Sequence, residues 1–252
     1  MAGDFFGVNV APGEEPGTDD YILERLADLG IQQVRMDFSY GSPGGSAQGL
    51  LDRLLEAGYR VFLNVFPPLT EAEVLHEDVE AQQRWCQFLD ALFAEYSDRV
   101  ICFEIGNTPN RGRWSGFSSR SFLVAWHLAE ERAGAHQITL AGPNVSDFEP
   151  LYNGTYLSLM KRVARAPEIH TDNLFVERVI EPEAFDHRVL GRMATSLLKL
   201  NLVKKARVLE RIGEQSGCGE FLCTYTCWTS KRLARRSVWP ARKQADYLVR
   251  YY

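Results

Sequence analysis

The feature that most constrains this chain is an alternation. Short apolar runs recur along its 252 residues, and each is followed by a longer segment whose apolar residues recur at helical spacing. Strands are expected over 4–10, 33–38, 60–66, 100–105, 138–141, 172–176 and 220–225. Helices are expected over 19–30, 47–58, 78–96, 121–133, 151–165, 197–213 and 240–252. The first helix shows the signals well: Ile22, Leu23, Leu26 and Leu29 share a face, Thr18 or Asp19 can cap its start, and Gly30 can end it. Trp85, Phe88, Leu92 and Phe93 make a core stripe on the third. Seven β-then-α units of this length imply right-handed crossovers and a parallel sheet. An open doubly wound sheet would place a Gly-rich phosphate turn after strand one. "GVNVAPGEEPG" has glycines without the G-x-G-x-x-G spacing. The sequence therefore predicts a single domain over 1–252 with a (β/α)8 TIM-type barrel, although an eighth strand is not evident. The expectation is that the stretch belongs to a longer protein or that the barrel closes in another way.

Composition narrows the partners. A net charge of −5 excludes non-specific nucleic-acid binding as the leading role. The densest basic run, residues 231–243, reads as a local solvated face. Five cysteines without metal-ligand spacing predict no metal site and no cofactor. They fit a reducing, cytoplasmic setting, with Cys223 and Cys227 as buried thiols. "MAGDFFGVNV" lacks the basic and apolar regions of a signal peptide, and no apolar run is long enough to span a bilayer. The sequon at Asn153 is then expected to stay unmodified, and His187 to be a structural residue.

In a barrel of this kind chemistry is carried at the C-terminal ends of the strands. Those ends carry Asn9; Arg35, Asp37 and Tyr40; Asn64 and Phe66; Glu104, Asn107, Thr108 and Asn110; Asn144 and Asp147; Glu177 and Arg178; and Tyr225 and Trp228. Amides and charges hydrogen-bond sugar hydroxyls, and aromatic faces stack on the apolar face of a pyranose. This set predicts a carbohydrate ligand.

Three stretches sharpen the expectation. "FEIGNTPN" at 103–110 resembles the strand-four signature of clan A glycoside hydrolases, W/F-E-x-x-N-E-P-N. "LCTYTCW" at 222–228 resembles their strand-seven signature, T-E-x-G-W. "VRMDF" at 34–38 resembles their strand-two arginine motif. The resemblance is nearest to β-xylosidase and α-iduronidase-like members, including glycosidases of polysaccharide biosynthesis. It implies a retaining hydrolase with an acid/base Glu on strand four and a nucleophilic Glu on strand seven. It further implies that Asn107 bonds a sugar 2-hydroxyl, that Arg35 keeps the nucleophile ionised, and that Trp228 lies at the site floor. Glu104 corresponds to an inward-pointing structural Glu that pairs with Arg35.

Two positions depart from the pattern. Thr108 stands at the acid/base position and Tyr225 at the nucleophile position. A Thr hydroxyl is no proton donor near neutral pH, and position 225 offers no carboxylate for a glycosyl-enzyme. The leading expectation is a barrel that binds carbohydrate, bacterial surface polysaccharide in particular, with the retaining Glu pair lost. One alternative is an active glycosidase with a rebuilt site on Glu177 and Glu104. Tyr225 could serve such a site as a nucleophile, as in sialidases, with Glu177 as its base. The other alternative is a non-catalytic scaffold in a polysaccharide-biosynthesis complex, contacting its protein partner through residues 231–243.

Overall fold

The computed structural model describes residues 6–13, 15, 17–41, 45–136, 138–174, 202–224 and 242. Within them lie seven strands: β1 (Gly7–Val10), β2 (Gln33–Phe38), β3 (Arg60–Val65), β4 (Cys102–Ile105), β5 (Leu140–Ser146), β6 (Ile169–Asn173) and β7 (Glu220–Cys223). They form one parallel sheet in chain order, β1 through β7. Each strand therefore pairs with the next one in sequence. The sheet curls until its edges meet at one point, where the Asn9 amide donates to the Thr224 carbonyl at 2.9 Å. This is a curled half-barrel of the TIM type. Among the described residues no eighth strand pairs with β1 or β7.

The helices are α1 (Thr18–Leu29), α2 (Ser46–Glu56), α3 (Leu69–Val74), α4 (Val79–Tyr96), α5 (Gly112–Ser115), α6 (Ser119–His136), α7 (Pro150–Val163) and α8 (Leu202–Ser216). Sequence bounds hold closely for α1, α2, α4 and β2. Helix α1 starts without the expected side-chain cap: Gly17 occupies the N-cap position, and the Thr18 hydroxyl turns back to the Glu15 carbonyl. Asp78 does cap α4, accepting from the Glu80 and Ala81 amides. The short α3 and α5 were not foreseen; at one turn or so they leave no periodicity to read.

Strand alternation sorts the side chains into two compartments. Outward residues such as Val34, Met36, Leu63, Val65, Phe103 and Ile105 pack under the helices, against Leu50, Trp85, Phe93, Phe122 and Trp126. Inward residues Phe62, Cys102, Ala141 and Ile169 form a small apolar layer of their own. Burying a Leu or Phe side chain removes it from water at roughly 1.5–3 kcal/mol each. That burial is what presses the helix layer onto the sheet.

Strand β6 corrects the expectation of 172–176. It runs instead over the polar string "IHTDN", because both of its faces supply partners. On the helix side, the Asn153 amide of α7 donates to Asp172 Oδ2 at 2.8 Å, and Asn153 Oδ1 meets His170 Nε2 at 2.7 Å. The sequon asparagine is thus a buried bridge between helix and sheet. Helix α8 reaches His170 at Gly213, where a Cβ would lie 2.8 Å from Nδ1.

Burial pushes both titratable groups toward neutrality. The His170 pKa falls to about 4 from an ordinary 6.5, and desolvation is the leading cause. The Asp172 carboxyl is held well above its ordinary 3.8, again chiefly by burial, and its Oδ1 has no hydrogen-bond partner among the described residues. A lowered His pKa removes stability as pH falls from 6.5 toward 4, by about 3 kcal/mol in full. A raised Asp pKa acts the other way: the folded state keeps a proton that the unfolded chain releases above about 4, so stability falls as pH rises. Asp172→Asn removes only the second effect. Its urea midpoint should exceed that of the unsubstituted protein at pH 7, and should climb between pH 4 and 6.5. Equal midpoints at pH 7 would contradict a neutral Asp172.

Candidate functional site

The upper interior of the curled sheet is polar where the lower interior is apolar. Two residues beyond Phe62 on β3 stands Asn64, and two beyond Cys102 on β4 stands Glu104. On β5 the step from Ala141 is three, to Asn144, because the register with β6 shifts between Pro143 and Val145. Asn144 is the extra residue of this bulge, at φ 57. The bulge turns its side chain inward, as such insertions do beside sites. Asn173 and Thr224 complete the layer from β6 and from the end of β7.

Glu104 lies at the centre and is fully buried. Its Oε2 accepts from Arg35 Nε at 2.8 Å and from Nη2 at 2.6 Å, and its Oε1 accepts from Asn144 Nδ2 at 2.6 Å. Both carboxylate oxygens are thereby engaged by charged or amide donors. The pairing of Glu104 with Arg35 is the one the resemblance implied. Arg35 Nη1 also reaches Asp37 at 3.0 Å and Asn9 Oδ1 at 3.3 Å. Burial opposes the guanidinium charge, but Glu104 and then Asp37 outweigh it, and the Arg35 pKa is raised. The arginine expected to face the nucleophile position therefore has all three nitrogens occupied by protein groups.

Asn144 is the hub of the layer. Its Oδ1 accepts from Asn173 Nδ2 at 2.9 Å and from the Thr108 amide at 3.2 Å, and its Nδ2 also contacts Thr224 Oγ1 at 3.1 Å. Thr224 Oγ1 in turn donates to Asn173 Oδ1 at 2.9 Å. Through Asn9 and Thr224 the network returns to β1, so hydrogen bonds run from Arg35 through Glu104, Asn144, Asn173 and Thr224 to Asn9 and back.

The loop after β4 is fastened to this layer. Thr108 sits at φ 45, a conformation strained for a β-branched residue, and its N–H is shared by the Asn144 carbonyl and side chain. Asn110 clamps the backbone of Ser146 with two bonds of 2.9 Å. Arg111 ion-pairs with Asp147 at 2.8 Å and Glu149 at 3.0 Å. Asn107 is half-buried, and its side-chain amide has no hydrogen bond among the described residues. Asn64 Nδ2 is held by the Glu104 and Gly106 carbonyls, while its buried Oδ1 has no partner among the described residues. Asn107 thus keeps hydrogen-bonding capacity unspent among the described residues, whereas the Asn64 oxygen is sealed from solvent.

Of the residues singled out from sequence, Arg35, Asn64, Glu104, Asn107, Thr108 and Asn144 come together at this end of the sheet. Glu177, Arg178, His187, Tyr225 and Trp228 lie outside the described residues, as do the basic residues of 231–243 apart from Arg242. Asn173 and Thr224 were missed. Asn173 was hidden by the misplaced sixth strand, and Thr224 was passed over for its neighbour Tyr225. Among the described residues no group of three or more His, Cys, Asp or Glu is placed to hold a metal, and no helix is long and apolar enough to cross a membrane. Cys223, expected to be buried, is half-buried.

No protein-family model and no curated protein matches this sequence. Solved structures do match. A family 39 glycoside hydrolase from the gut symbiont Bacteroides cellulosilyticus superposes over 97% of this chain and 52% of its own, with TM-score 0.66 and 14% identity. A family 39 β-xylosidase from Caulobacter crescentus covers 90% of this chain and 54% of its own, with TM-score 0.59 and 14% identity. A rice β-glucosidase covers 94% and 75%, with TM-score 0.54 and 11% identity. The chain shares the fold of glycoside hydrolase barrels. It spans about half the length of the two family 39 enzymes.

The Glu104 network makes a stability prediction. Glu104→Gln leaves the buried Arg35 charge without its main partner and should cost about 3–5 kcal/mol in urea unfolding. Adding Arg35→Met removes the stranded charge. The pair should then be less destabilised than the sum of the single variants, by about 0.5–3 kcal/mol. Simple additivity would show that the two side chains are not coupled.

Proposed function

We propose that this chain is a glycoside-hydrolase-like barrel that binds carbohydrate, a bacterial surface polysaccharide in the first instance, at the C-terminal ends of its strands and without the retaining Glu pair. The observation that carries the reading is the division of labour among the strand-end residues. Glu104, the one described carboxylate at the centre of the layer, is buried with both oxygens saturated by Arg35 and Asn144. A group so engaged anchors the network rather than shuttling protons, which requires contact with the reacting atoms. The Asn107 amide, half-buried and without a hydrogen bond among the described residues, suits a sugar hydroxyl. The acid/base position holds Thr108, whose backbone shape is imposed by Asn144. The shared fold with a β-xylosidase and a β-glucosidase supports a sugar as the ligand class.

A glycan array paired with hydrolysis assays on aryl glycosides tests the reading. Binding without turnover is expected. Asn107→Ala should weaken binding by about tenfold, the worth of one hydrogen bond near 1–1.5 kcal/mol, and Glu177→Gln should leave it unchanged. Turnover that vanishes in Glu177→Gln would replace this reading with an enzyme whose site was rebuilt. Neither binding nor turnover would favour the scaffold.

A further inference from the structure

The stretch "NGT" at 153–155 takes no part in the candidate site, yet its first two residues carry a chemistry of their own. Of the eight asparagines in the sequence, only Asn153 precedes a glycine; Val, Thr, Arg or Leu follows each of the others. A following glycine leaves the next backbone nitrogen unshielded and the main chain free to bend toward the side chain. In an unfolded chain the Gly154 nitrogen can then attack Asn153 Cγ. The Gly154 N–Cγ bond forms, the Cγ–Nδ2 bond breaks, and Nδ2 leaves as ammonia with the Gly154 amide proton. Water opens the cyclic imide in one of two ways. Cleavage between Gly154 N and Cγ gives an aspartyl link. Cleavage between Gly154 N and the Asn153 carbonyl carbon gives an isoaspartyl link, with one more carbon in the main chain. The fold blocks each part of this reaction. Asn153 is fully buried on α7, out of reach of solvent. Its Nδ2 donates to the Glu149 carbonyl at 3.1 Å and to Asp172 Oδ2 at 2.8 Å, and its Oδ1 meets His170 Nε2 at 2.7 Å. The helical ladder takes up the Gly154 N–H.

We infer that Asn153 is a spontaneous modification site guarded by the fold: unfolding opens it to deamidation, and the deamidated chain can no longer rebuild the bridge between α7 and β6. An oxygen in place of Nδ2 would stand 3.1 Å from the Glu149 carbonyl oxygen and 2.8 Å from Asp172 Oδ2. The carbonyl has no proton to give, so the new carboxyl must keep a proton of its own or bury a charge. The isoaspartyl product fits less well still, because its extra main-chain carbon falls within the first turns of α7 and disturbs the hydrogen-bond ladder there. Chemical change in an unfolded chain turns reversible unfolding into permanent loss. Here sequence and fold together place that change at one side chain. Strand β6 also carries Asn173 of the polar layer, so a chain modified at 153 loses support beneath its candidate site.

The test is peptide mapping by mass spectrometry after incubation at mildly alkaline pH, in native buffer and in guanidinium chloride. In denaturant the peptide that holds Asn153 should convert to a mixture of aspartyl and isoaspartyl forms. In native buffer conversion should be slower by about a thousandfold or more, because the unfolded fraction sets the rate. Gly154→Ala suits the folded chain, since its Cβ would meet Ile212 Cγ2 at an ordinary 3.9 Å. In denaturant this variant should convert about tenfold more slowly, the added Cβ hindering the attacking nitrogen. After removal of denaturant, converted chains should refold with a lower urea midpoint than unconverted chains from the same sample, or not refold. Asn153→Asp should show the same loss without the incubation. Equal conversion in the two buffers would show that the fold guards nothing. Absence of conversion in denaturant, or an undiminished rate in Gly154→Ala, would remove the site. Converted chains that refold with an unchanged midpoint would overturn the consequence drawn for the bridge.

Discussion

The buried carboxylate of Glu104 is the constraint around which the upper half of this sheet is arranged. A charge taken out of water must be met by donors, or the fold loses several kcal/mol. Here Arg35 meets it from one side and Asn144 from the other. Arg35 in turn fixes Asp37 and Asn9, and Asn144 fixes Asn173, Thr224 and the Thr108 backbone. Six of the seven strands are tied to one another through these side chains. The seventh, β3, joins through Asn64, which grips the β4 backbone at Glu104 and Gly106. What resembles a row of sugar-binding residues is thus mostly spent on holding itself together. The few groups left over are the ones on which the proposed binding rests.

That economy bears on the two departures from the hydrolase pattern. The loop that would present an acid/base is kept in a strained shape by Asn144, although Thr108 gains nothing visible from that strain. A scaffold can preserve the geometry of a site after the reacting group is gone, because the geometry serves packing as well as chemistry. Across barrel proteins generally, fold and reaction are separable.

Much of this was legible in the sequence, and the failures have physical causes. The alternation of apolar runs gave the parallel sheet and its order, and β2 and α4 were bounded almost to the residue, because each carries an unbroken period. The pairing of Glu104 with Arg35 was implied by the resemblance of two separate motifs, at 34–38 and 103–110, to those of clan A glycoside hydrolases. Strand β6 was misplaced because "IHTDN" is polar on both faces, and only tertiary partners, Asn153 on one side and Asn144 on the other, make burial of such a string tolerable. The central role of Asn144 depends on a bulge that shifts register by one residue, and no periodicity announces it. Thr224 was overlooked because its role comes from β1 and β5, far away in the chain.

The single bond between Asn9 and Thr224 also has a meaning for assembly. Every backbone strand pairing in the sheet joins neighbours in the chain, so the sheet can grow in the order of synthesis with short loops to close at each step. The Asn9–Thr224 contact spans 215 residues. It must wait until residue 224 has emerged, and the hydrogen-bond circuit through Glu104 cannot be completed earlier. A nascent chain that has formed six strands would already own most of its apolar core. It would still lack the closing link of its polar ring, so the polar end of the sheet reaches its final shape after the apolar core beneath it.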